Sequence, residues 1–340
     1  SLNPHAAALF LDSAGHTPDP TDPTARLLPM PAKAAMLRHL AKSGAQDFYE
    51  GEVAADLLRD LQEAGSKISA ADLAAYKPSW HVPASAPYRE RTIHVIPGLS
   101  GGPSLLKTFE ALSSQDMATA NEAQFAAHHA DAIRAAYEAR LQTMGHAAAA
   151  HDCTSHLSVV DRHGNMVALT NTLLSRFGSK VVAPSLGLTL NNGMMWFDPR
   201  PDQPNSIAPG AAPLANMSPV ITTCDGKPDI AIGAAGGRQI FPAIVQILSQ
   251  IIDRDATPEQ ALHMPRIDAS SPVILVNRTA ATDTASAIAE HHPVQITEDS
   301  LYPVQFAIPS LVQAGRDGAP NTGAVHPNNP WTAARSEDAP

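Results

Sequence analysis

Two runs of alternating apolar and polar residues predict a β-hairpin near the middle of the chain. Leu157 and Val159 lie on one face of the first run, and Val167 and Leu169 lie on the corresponding face of the second. The residues between the runs, 161–165, read Asp-Arg-His-Gly-Asn, a composition typical of a hairpin turn. The pattern therefore predicts two antiparallel strands, with hydroxyl side chains on the face opposite the apolar one.

A second unit, further along the chain, predicts a strand, a turn and a helix. Residues 229–232, Asp-Ile-Ala-Ile, predict the strand, and apolar residues recur at a helical period from Ile240 to Ile252. Gly236 and Gly237 lie between them, where a Gly-Gly pair by itself indicates a tight turn. Residues without Cβ atoms also let backbone N–H groups approach a bound oxyanion, and a helix N-terminus adds partial positive charge.

The first half of the chain predicts mainly helices. The predicted elements are helices over 32–44, up to 61, near 70–73, over 105–112 and over 118–150, with one strand over 88–97. Residues 100–102, Ser-Gly-Gly, precede a helix, but no Lys-Ser/Thr follows, so we interpret them as a structural turn and exclude a P-loop. The Ala run at 147–150 suits a flexible linker or an ordinary helix end, and the tail 317–340 predicts a loop.

Composition narrows the classes of function. The chain has 340 residues, 44% of them hydrophobic, which is enough for one large or two medium domains. Only 16% of the residues are charged, the formal net charge is −10 and the sequence pI is near 5.8, which argues against nucleic acid or an anionic membrane as the partner. No run of 18 apolar residues occurs, so no membrane span is predicted.

The sequence predicts neither a disulfide framework nor a metal site. Its two cysteines, Cys153 and Cys224, do not form a CxxC pair. The His-His pairs at 128–129 and 291–292 lack the spacing of helical metal ligands. We therefore expect no metal and no other cofactor. No targeting segment is visible, and localisation stays open between periplasm and cytoplasm.

Several motifs, taken in order and spacing, resemble one enzyme family. Residues 152–156 read Asp-Cys-Thr-Ser-His, residues 213–219 read Pro-Leu-Ala-Asn-Met-Ser-Pro, and residues 233–238 read Gly-Ala-Ala-Gly-Gly-Arg. The run over 154–238 resembles the small subunit of the γ-glutamyltranspeptidases. The upstream residues 48–51, Phe-Tyr-Glu-Gly, are similar to a motif of the large subunit. The resemblance covers nearly the whole chain.

The resemblance implies an α+β fold, a four-layer αββα sandwich of the Ntn-hydrolase type. It also implies two subunits cut from one precursor. Residues 1–153 would be the C-terminal part of the large subunit, and 154–340 would be the small catalytic subunit. The N-terminal part of the large subunit, with an arginine for the substrate carboxylate, has no counterpart here, so the chain is either a fragment or a truncated protein. A homodimer of such two-chain units is left open.

In this family the catalytic threonine becomes the first residue of the small subunit. The resemblance assigns that place to Thr154 and implies self-cleavage of the Cys153–Thr154 bond. The freed α-amine, with a reference pKa near 8, could then accept the proton of the threonine hydroxyl. Thr172 would hydrogen-bond the nucleophile, although a β-branched residue can also simply fill a strand. Gly236 and Gly237 would form the oxyanion hole.

Four positions depart from the family's γ-glutamyl pocket. Leu174 replaces an Asn, Trp196 replaces an Asp that pairs with the substrate α-ammonium, and Ala215-Asn216 replaces a Ser-Ser pair that contacts the α-carboxylate. Loss of a charge-assisted hydrogen bond predicts poor binding of a zwitterionic acyl group. The segment between Trp196 and residue 213 is also short, which predicts an open site.

These observations predict an enzyme that cleaves a small-molecule amide or peptide and passes the acyl group to water or an amine. γ-Glutamyl transfer or hydrolysis, with glutathione-like donors, is the first alternative. Hydrolysis of another acyl group, of the glutaryl or cephalosporin type, is the second. A non-catalytic relative is the third, and retention of Thr154, Thr172 and the Gly236-Gly237 pair argues against it.

Overall fold

A computed structural model describes residues 3–12, 14–17, 28–145, 152–300, 304–316, 318–330 and 332–336. The helices are α1 (Pro4–Phe10), α2 (Pro31–Ser43), α3 (Asp47–Glu50), α4 (Glu52–Glu63), α5 (Ala70–Ala75), α6 (Gly102–Leu112), α7 (Glu122–Thr143), α8 (Ile240–Arg254), α9 (Pro258–His263) and α10 (Thr282–Ala289). The strands are β1 (Ala84–Tyr88), β2 (Arg91–Val95), β3 (Asp152–Val160), β4 (Met166–Ser175), β5 (Val182–Ala183), β6 (Leu188–Thr189), β7 (Val220–Cys224), β8 (Lys227–Ala235), β9 (Ile267–Asp268), β10 (Ile274–Asn277), β11 (Val294–Thr297), β12 (Ile308–Gln313) and β13 (Thr322–Val325).

The chain divides into two compact units, one of residues 1–80 with 175–192 and one of residues 81–174 with 193–340. The smaller unit contains α1–α5, β5 and β6. Its core consists of Met36, Val53, Leu57, Leu61, Ala183 and Leu186. The buried Asp60 carboxylate accepts hydrogen bonds from the backbone and hydroxyl of Ser185, so its polar oxygens are satisfied inside this small unit.

A six-stranded antiparallel sheet organises the larger unit, in the order β1-β2-β7-β8-β12-β13. Ile230, Ile232 and Ala234 of β8 belong to one apolar core with α8. Helix α8 is buried along nearly its whole length, as expected for a helix that is apolar on most sides. Each fully buried Ile, Leu or Phe of this core contributes roughly 1.5–3 kcal/mol to folding.

The β3–β4 hairpin packs on the opposite face of the same sheet. A Cβ atom added at Gly233 of β8 would collide with the imidazole of His156, so a glycine is needed where the two layers meet. The hydroxyl-bearing face of the hairpin lies toward the sheet. The apolar face lies outward, with four side chains that remain 47–50% exposed: Leu157, Val159, Val167 and Leu169.

The sheet joins strands from both sides of residue 154. Strand β2 pairs with β7 in an antiparallel register that runs from Arg91 opposite Cys224 to Val95 opposite Val220. A chain break before Thr154 would therefore leave β1 and β2 hydrogen-bonded into the sheet that the later strands complete. The helix, sheet and hairpin layers of the larger unit correspond to three layers of the predicted sandwich.

Several predicted elements are confirmed and others need correction. The helices predicted over 32–44 and 105–112 correspond to α2 and α6. The strand predicted over 88–97 is wrong in extent, because a turn at Arg89 and Glu90 separates β1 from β2. The tail predicted as loop contains β13, which pairs with β12 at the sheet edge. The Ala run at 147–150 lies outside the described residues.

Candidate active site

Thr154 and Thr172 face each other across the hairpin. Thr154 Oγ1 donates a hydrogen bond to Thr172 Oγ1 over 3.1 Å. Thr172 Oγ1 also accepts the backbone N–H of Leu174 at 2.9 Å. Thr154 itself is half-buried. The two hydroxyls thus lie together, as strand alternation and the resemblance both indicated, while their chemical roles stay predictions.

A buried histidine extends this polar face. His156 Nδ1 lies 2.9 Å from Thr170 Oγ1, and His156 Nε2 lies 2.9 Å from Ser158 Oγ. Burial lowers the pKa of His156 to about 4, so the ring is neutral at pH 7. His156 was not among the site residues predicted from the sequence. The signal that could have found it is its position two residues after Thr154, on the same side of the strand.

We expect the free energy of unfolding to fall as the pH falls from about 6.5 to about 4. Burial lowers the pKa of both His156 and His129 to about 4 in the folded protein. An unfolded histidine has a pKa near 6.5, so the unfolded chain takes up protons in this window that the folded chain does not. Urea unfolding at pH 7 and pH 4.5 measures the change. His156→Gln should reduce the difference between the free energies of unfolding at the two pH values by about 2 kcal/mol. An equal difference in the wild-type and variant proteins would contradict the low pKa of His156.

The glycine pair forms the predicted strand-to-helix turn at the end of β8. Both residues have positive φ, 138° at Gly236 and 55° at Gly237. A Cβ atom at Gly236 would lie 2.7 Å from the Cα of Ala307, so both conformation and space require glycine. A short 3₁₀ turn, Gly237–Gln239, then leads into α8. Among the described residues, neither glycine N–H has a hydrogen-bond acceptor, which leaves two donors for a ligand.

Arg140 fixes the Ala215-Asn216 pair. Its guanidinium donates to the carbonyl of Ala215 at 2.7 Å, to Asn216 Oδ1 at 3.3 Å and to the carbonyl of Ser100 at 2.6 Å. Arg140 is buried, and burial lowers its pKa from the ordinary arginine value. Asn216 and Arg238 line one small cleft with Arg140. From the sequence, Arg140 was predicted only as part of the helix over 118–150.

The Ser100-Gly101-Gly102 motif is the structural turn that we predicted. Ser100 Oγ donates to the carbonyl of Ile96 at 2.7 Å and accepts the N–H of Gly102 at 3.1 Å. A Cβ atom at Gly101 would collide with the hydroxyl of Ser218. The turn therefore packs tightly against the segment that carries Asn216, and it contributes to the site by supporting that segment.

The positions of Leu174 and Trp196 are both apolar and sheltered. Leu174 is 1% exposed and has a φ of 72°. Trp196 ends the 3₁₀ turn Gly193–Trp196, and its carbonyl accepts a hydrogen bond from Asn205 Nδ2 at 2.5 Å. Its indole Nε1 is buried without a hydrogen-bond partner in the part of the chain that the structure describes. An unpaired buried donor costs free energy, so this nitrogen is a group that a ligand oxygen would satisfy.

Direct hydrogen bonds connect only some of the predicted site residues with one another. The hydrogen bonds found among the described residues link Thr154 Oγ1 to Thr172, and not to Trp196, the 215–216 pair or the 236–237 pair. Cys153 lies in β3, directly before Thr154, and its side chain is outside the described residues.

Within the described ranges, no group of three His, Cys, Asp or Glu side chains is arranged to hold a metal. No described helix is long and apolar enough to cross a membrane.

Comparison with known proteins decides the family. The family model described as gamma-glutamyltranspeptidase matches residues 1–152 and 144–308. The chain belongs to this family. It is 29% identical over 289 residues to the glutathione hydrolase proenzyme of Escherichia coli (strain K12). The matched region covers 68% of this chain and 49% of that protein. The resemblance to the γ-glutamyltranspeptidases that the sequence motifs indicated is therefore confirmed.

Acylases are among the relatives too. The chain is 26% identical over 332 residues to the Acylase ACY 1 proenzyme of Pseudomonas sp. (strain SE83), covering 86% of this chain and 59% of that protein. The chain thus spans about half to three-fifths of the length of these relatives. A solved structure of cephalosporin acylase from Bacillus halodurans superposes with a TM-score of 0.79 at 22% identity, over 87% of this chain and 61% of that one. The predicted mixed α and β fold of the Ntn-hydrolase type is confirmed.

Proposed function

We propose that this γ-glutamyltranspeptidase homologue cuts itself before Thr154 and then cleaves amides with Thr154 as the nucleophile. The observation that carries the proposal is the hydroxyl pair Thr154–Thr172, 3.1 Å apart, on the polar inner face of the hairpin. The pair places a second hydroxyl within hydrogen-bond distance of the proposed nucleophile. The printed names of its relatives, glutathione hydrolase and acylase, support amide cleavage as the reaction class.

Self-cleavage would use the Thr154 hydroxyl on its own preceding peptide bond. The oxygen attacks the Cys153 carbonyl, the C–N bond breaks, and an ester joins Cys153 to the Thr154 side chain while the threonine nitrogen becomes a free amine. Water then hydrolyses the ester. The products would be residues 1–153 and 154–340. Because β1 and β2 pair with β7, the two products stay in one sheet after the cut.

In turnover the new α-amine would act as the base that the intact chain lacks. Its reference pKa near 8 suits proton transfer from the Thr154 hydroxyl at neutral pH. The N–H groups of Gly236 and Gly237 would stabilise the oxyanion formed when the hydroxyl attacks the substrate amide. The amine of the substrate then leaves with the proton that the α-amine took from the Thr154 hydroxyl. The resulting acyl-enzyme transfers its acyl group to water or to a second amine.

The acyl pocket would be formed by Leu174, Trp196, Ala215 and Asn216. None of these four side chains carries a charge, and the Asn216 oxygen is already engaged by Arg140. We therefore favour an acyl group without an α-ammonium, such as glutaryl, over γ-glutamyl. The partner molecules are a small amide or peptide and the two fragments of one precursor. A dimer of such two-chain units stays open.

Thr172→Val should lower both the rate of self-cleavage and kcat by about 10- to 100-fold, because it keeps the shape of the side chain and removes the hydroxyl that holds Thr154 Oγ1. The loss of cleavage is measured by gel densitometry against time, and kcat with a glutaryl anilide. Thr170→Val is the matched control. It removes a hydroxyl two residues away that bonds His156 and not Thr154. Equal effects of the two substitutions would contradict the role of Thr172.

A further inference from the structure

A cavity of about 340 Å³ lies in the larger unit, on the helix side of the six-stranded sheet. Helices α7, α8, α9 and α10 and the segments 264–267 and 279–281 form its walls. Thr154 lies in the hairpin on the opposite face of this sheet. The described wall residues include none from the hairpin or the glycine turn, so the cavity is separate from the candidate active site.

The size of the cavity suits a small molecule with an apolar body. A protein cavity of about 150 Å³ binds benzene, which has six heavy atoms, so this larger one admits a molecule of roughly ten. Glu122, Thr279 and Ala281 line the cavity from exposed positions, which gives it an entrance from solvent. Apolar side chains make up most of the remaining wall, including Phe125, Ala126, Ile247, Ala261, Met264 and Ile267.

Two buried polar side chains of the wall lack hydrogen-bond partners. Gln250 of α8 is 6% exposed, and Thr284 of α10 is 2% exposed. Within the part of the chain that the structure describes, no group bonds the Gln250 carboxamide or the Thr284 hydroxyl. Gln246, one turn earlier on α8, instead bonds Pro242 and Ile267 through its side chain. Buried polar groups are normally paired, so Gln250 and Thr284 are groups that a ligand would satisfy.

The charges of the wall favour an anion. Arg266 is 4% exposed, and its Nη2 has no hydrogen-bond acceptor among the residues that the structure describes. An oxygen of the Asp299 carboxylate lies 3.8 Å from that nitrogen. Burial lowers the pKa of Arg266 to about 10, so the guanidinium is still charged at neutral pH. Glu122, an acidic residue of the wall, is already bonded to Arg254 at 2.7 Å.

We propose that this cavity is a second small-molecule site, and that it takes a carboxylate with an apolar body. The carboxylate accepts hydrogen bonds from Gln250 Nε2 and Thr284 Oγ1, and the apolar body lies against the side chains of α7 and α9. Hydrogen bonds to an ionised carboxylate are stronger than those to a neutral group, which gives the site its selectivity. The inference does not depend on the catalytic role of Thr154.

Octanoate and 1-octanol, two molecules of about the size that the cavity admits, test the proposal by calorimetric titration of the full 340-residue chain. Octanoate should bind at least tenfold more tightly, because the alcohol offers no charge to the two donors. Equal affinities would show an apolar cavity without carboxylate recognition and would overturn the proposal. No binding of either molecule would show that the cavity holds only water, and would overturn it too.

Substitutions in the wall locate the binding. Thr284→Val and Gln250→Leu remove the donors and keep approximate size, so each should weaken octanoate binding about tenfold and octanol binding much less. Thr108→Val is the matched control, because Thr108 is a fully buried helical threonine outside the cavity, bonded to the Ser104 carbonyl. Unchanged octanoate affinity in both wall variants, or an equal loss in Thr108→Val, would place the molecule elsewhere and overturn the proposal.

A filling substitution keeps the test decisive if a donor variant does not fold. Ala126→Leu adds volume inside the wall of α7 and should weaken the binding of both octanoate and octanol. Urea midpoints show which variants are folded. A folded Ala126→Leu protein that binds both molecules as tightly as the wild type would contradict the site. Calorimetry on Thr154→Ala should give the wild-type affinity, which separates this cavity from the acyl pocket and its fate from that of the proposed function.

Discussion

Thr154→Ala is expected to leave a single uncut chain of 340 residues with no measurable amide hydrolysis. The proposed function uses the Thr154 hydroxyl twice, first on the Cys153 carbonyl and then on the substrate. Alanine removes that oxygen and keeps the strand conformation, so both reactions should stop together. Loss of a covalent nucleophile is among the largest single-residue effects on catalysis, on the order of 10⁴- to 10⁶-fold.

Thr154→Ser is the informative companion substitution. Serine keeps the hydroxyl and the future α-amine, so cleavage and turnover should persist at reduced rates. The measurements are the fraction of cut chain on a denaturing gel and the initial rate with a glutaryl anilide. Turnover by an uncut Thr154→Ala protein would show that another residue attacks the substrate, and the proposed mechanism would be wrong.

The second large effect concerns substrate choice. The processed enzyme should prefer a glutaryl anilide to the γ-glutamyl anilide by about 30- to 1,000-fold in kcat/KM, the consequence of about 2–4 kcal/mol for one missing buried charged contact. The resemblance implies that, in the family, an acidic residue at the position of Trp196 pairs with the substrate ammonium. Here an indole occupies it, sheltered and with its Nε1 unpaired among the described residues.

Trp196→Asp tests the assignment directly, because it should shift the preference toward the γ-glutamyl anilide by at least tenfold. Met194→Asp is its control. Met194 is 64% exposed in the same 3₁₀ turn, and the substitution adds the same charge two residues away. An unaltered preference in Trp196→Asp, or an equal shift in Met194→Asp, would show that position 196 does not contact the acyl group. A clear preference of the wild-type enzyme for γ-glutamyl would show that other residues bind the ammonium.

The hairpin illustrates what can and cannot be predicted from the sequence. Alternation predicted its two strands, and it places Thr172 on the same face as Thr170, while the register that brings Thr172 to Thr154 is seen only in the structure. Alternation does not say which face is packed. General experience places the apolar face inward, yet here Leu157 and Val167 lie outward, because the inner face carries the hydroxyls and imidazole of the site.

Long-range contacts account for most of what the sequence analysis missed. Arg140 reaches Ala215 from 75 residues earlier in the chain, and no local pattern encodes that contact. Strand β13 escaped prediction because its four residues include a glycine and gain their partner only when β12 is in place. The glycine turn was predictable, since two adjacent residues without side chains between a strand and a helix leave few alternatives.

The most direct test of the central claim is the N-terminal sequence and intact mass of the purified wild-type chain after incubation at neutral pH. The account predicts two polypeptides of 153 and 187 residues, the second beginning Thr-Ser-His-Leu. The two should elute together from a sizing column, since the six-stranded sheet contains strands of both. A single chain of 35.7 kDa after several days, or a second polypeptide that begins at any residue other than Thr154, would contradict it.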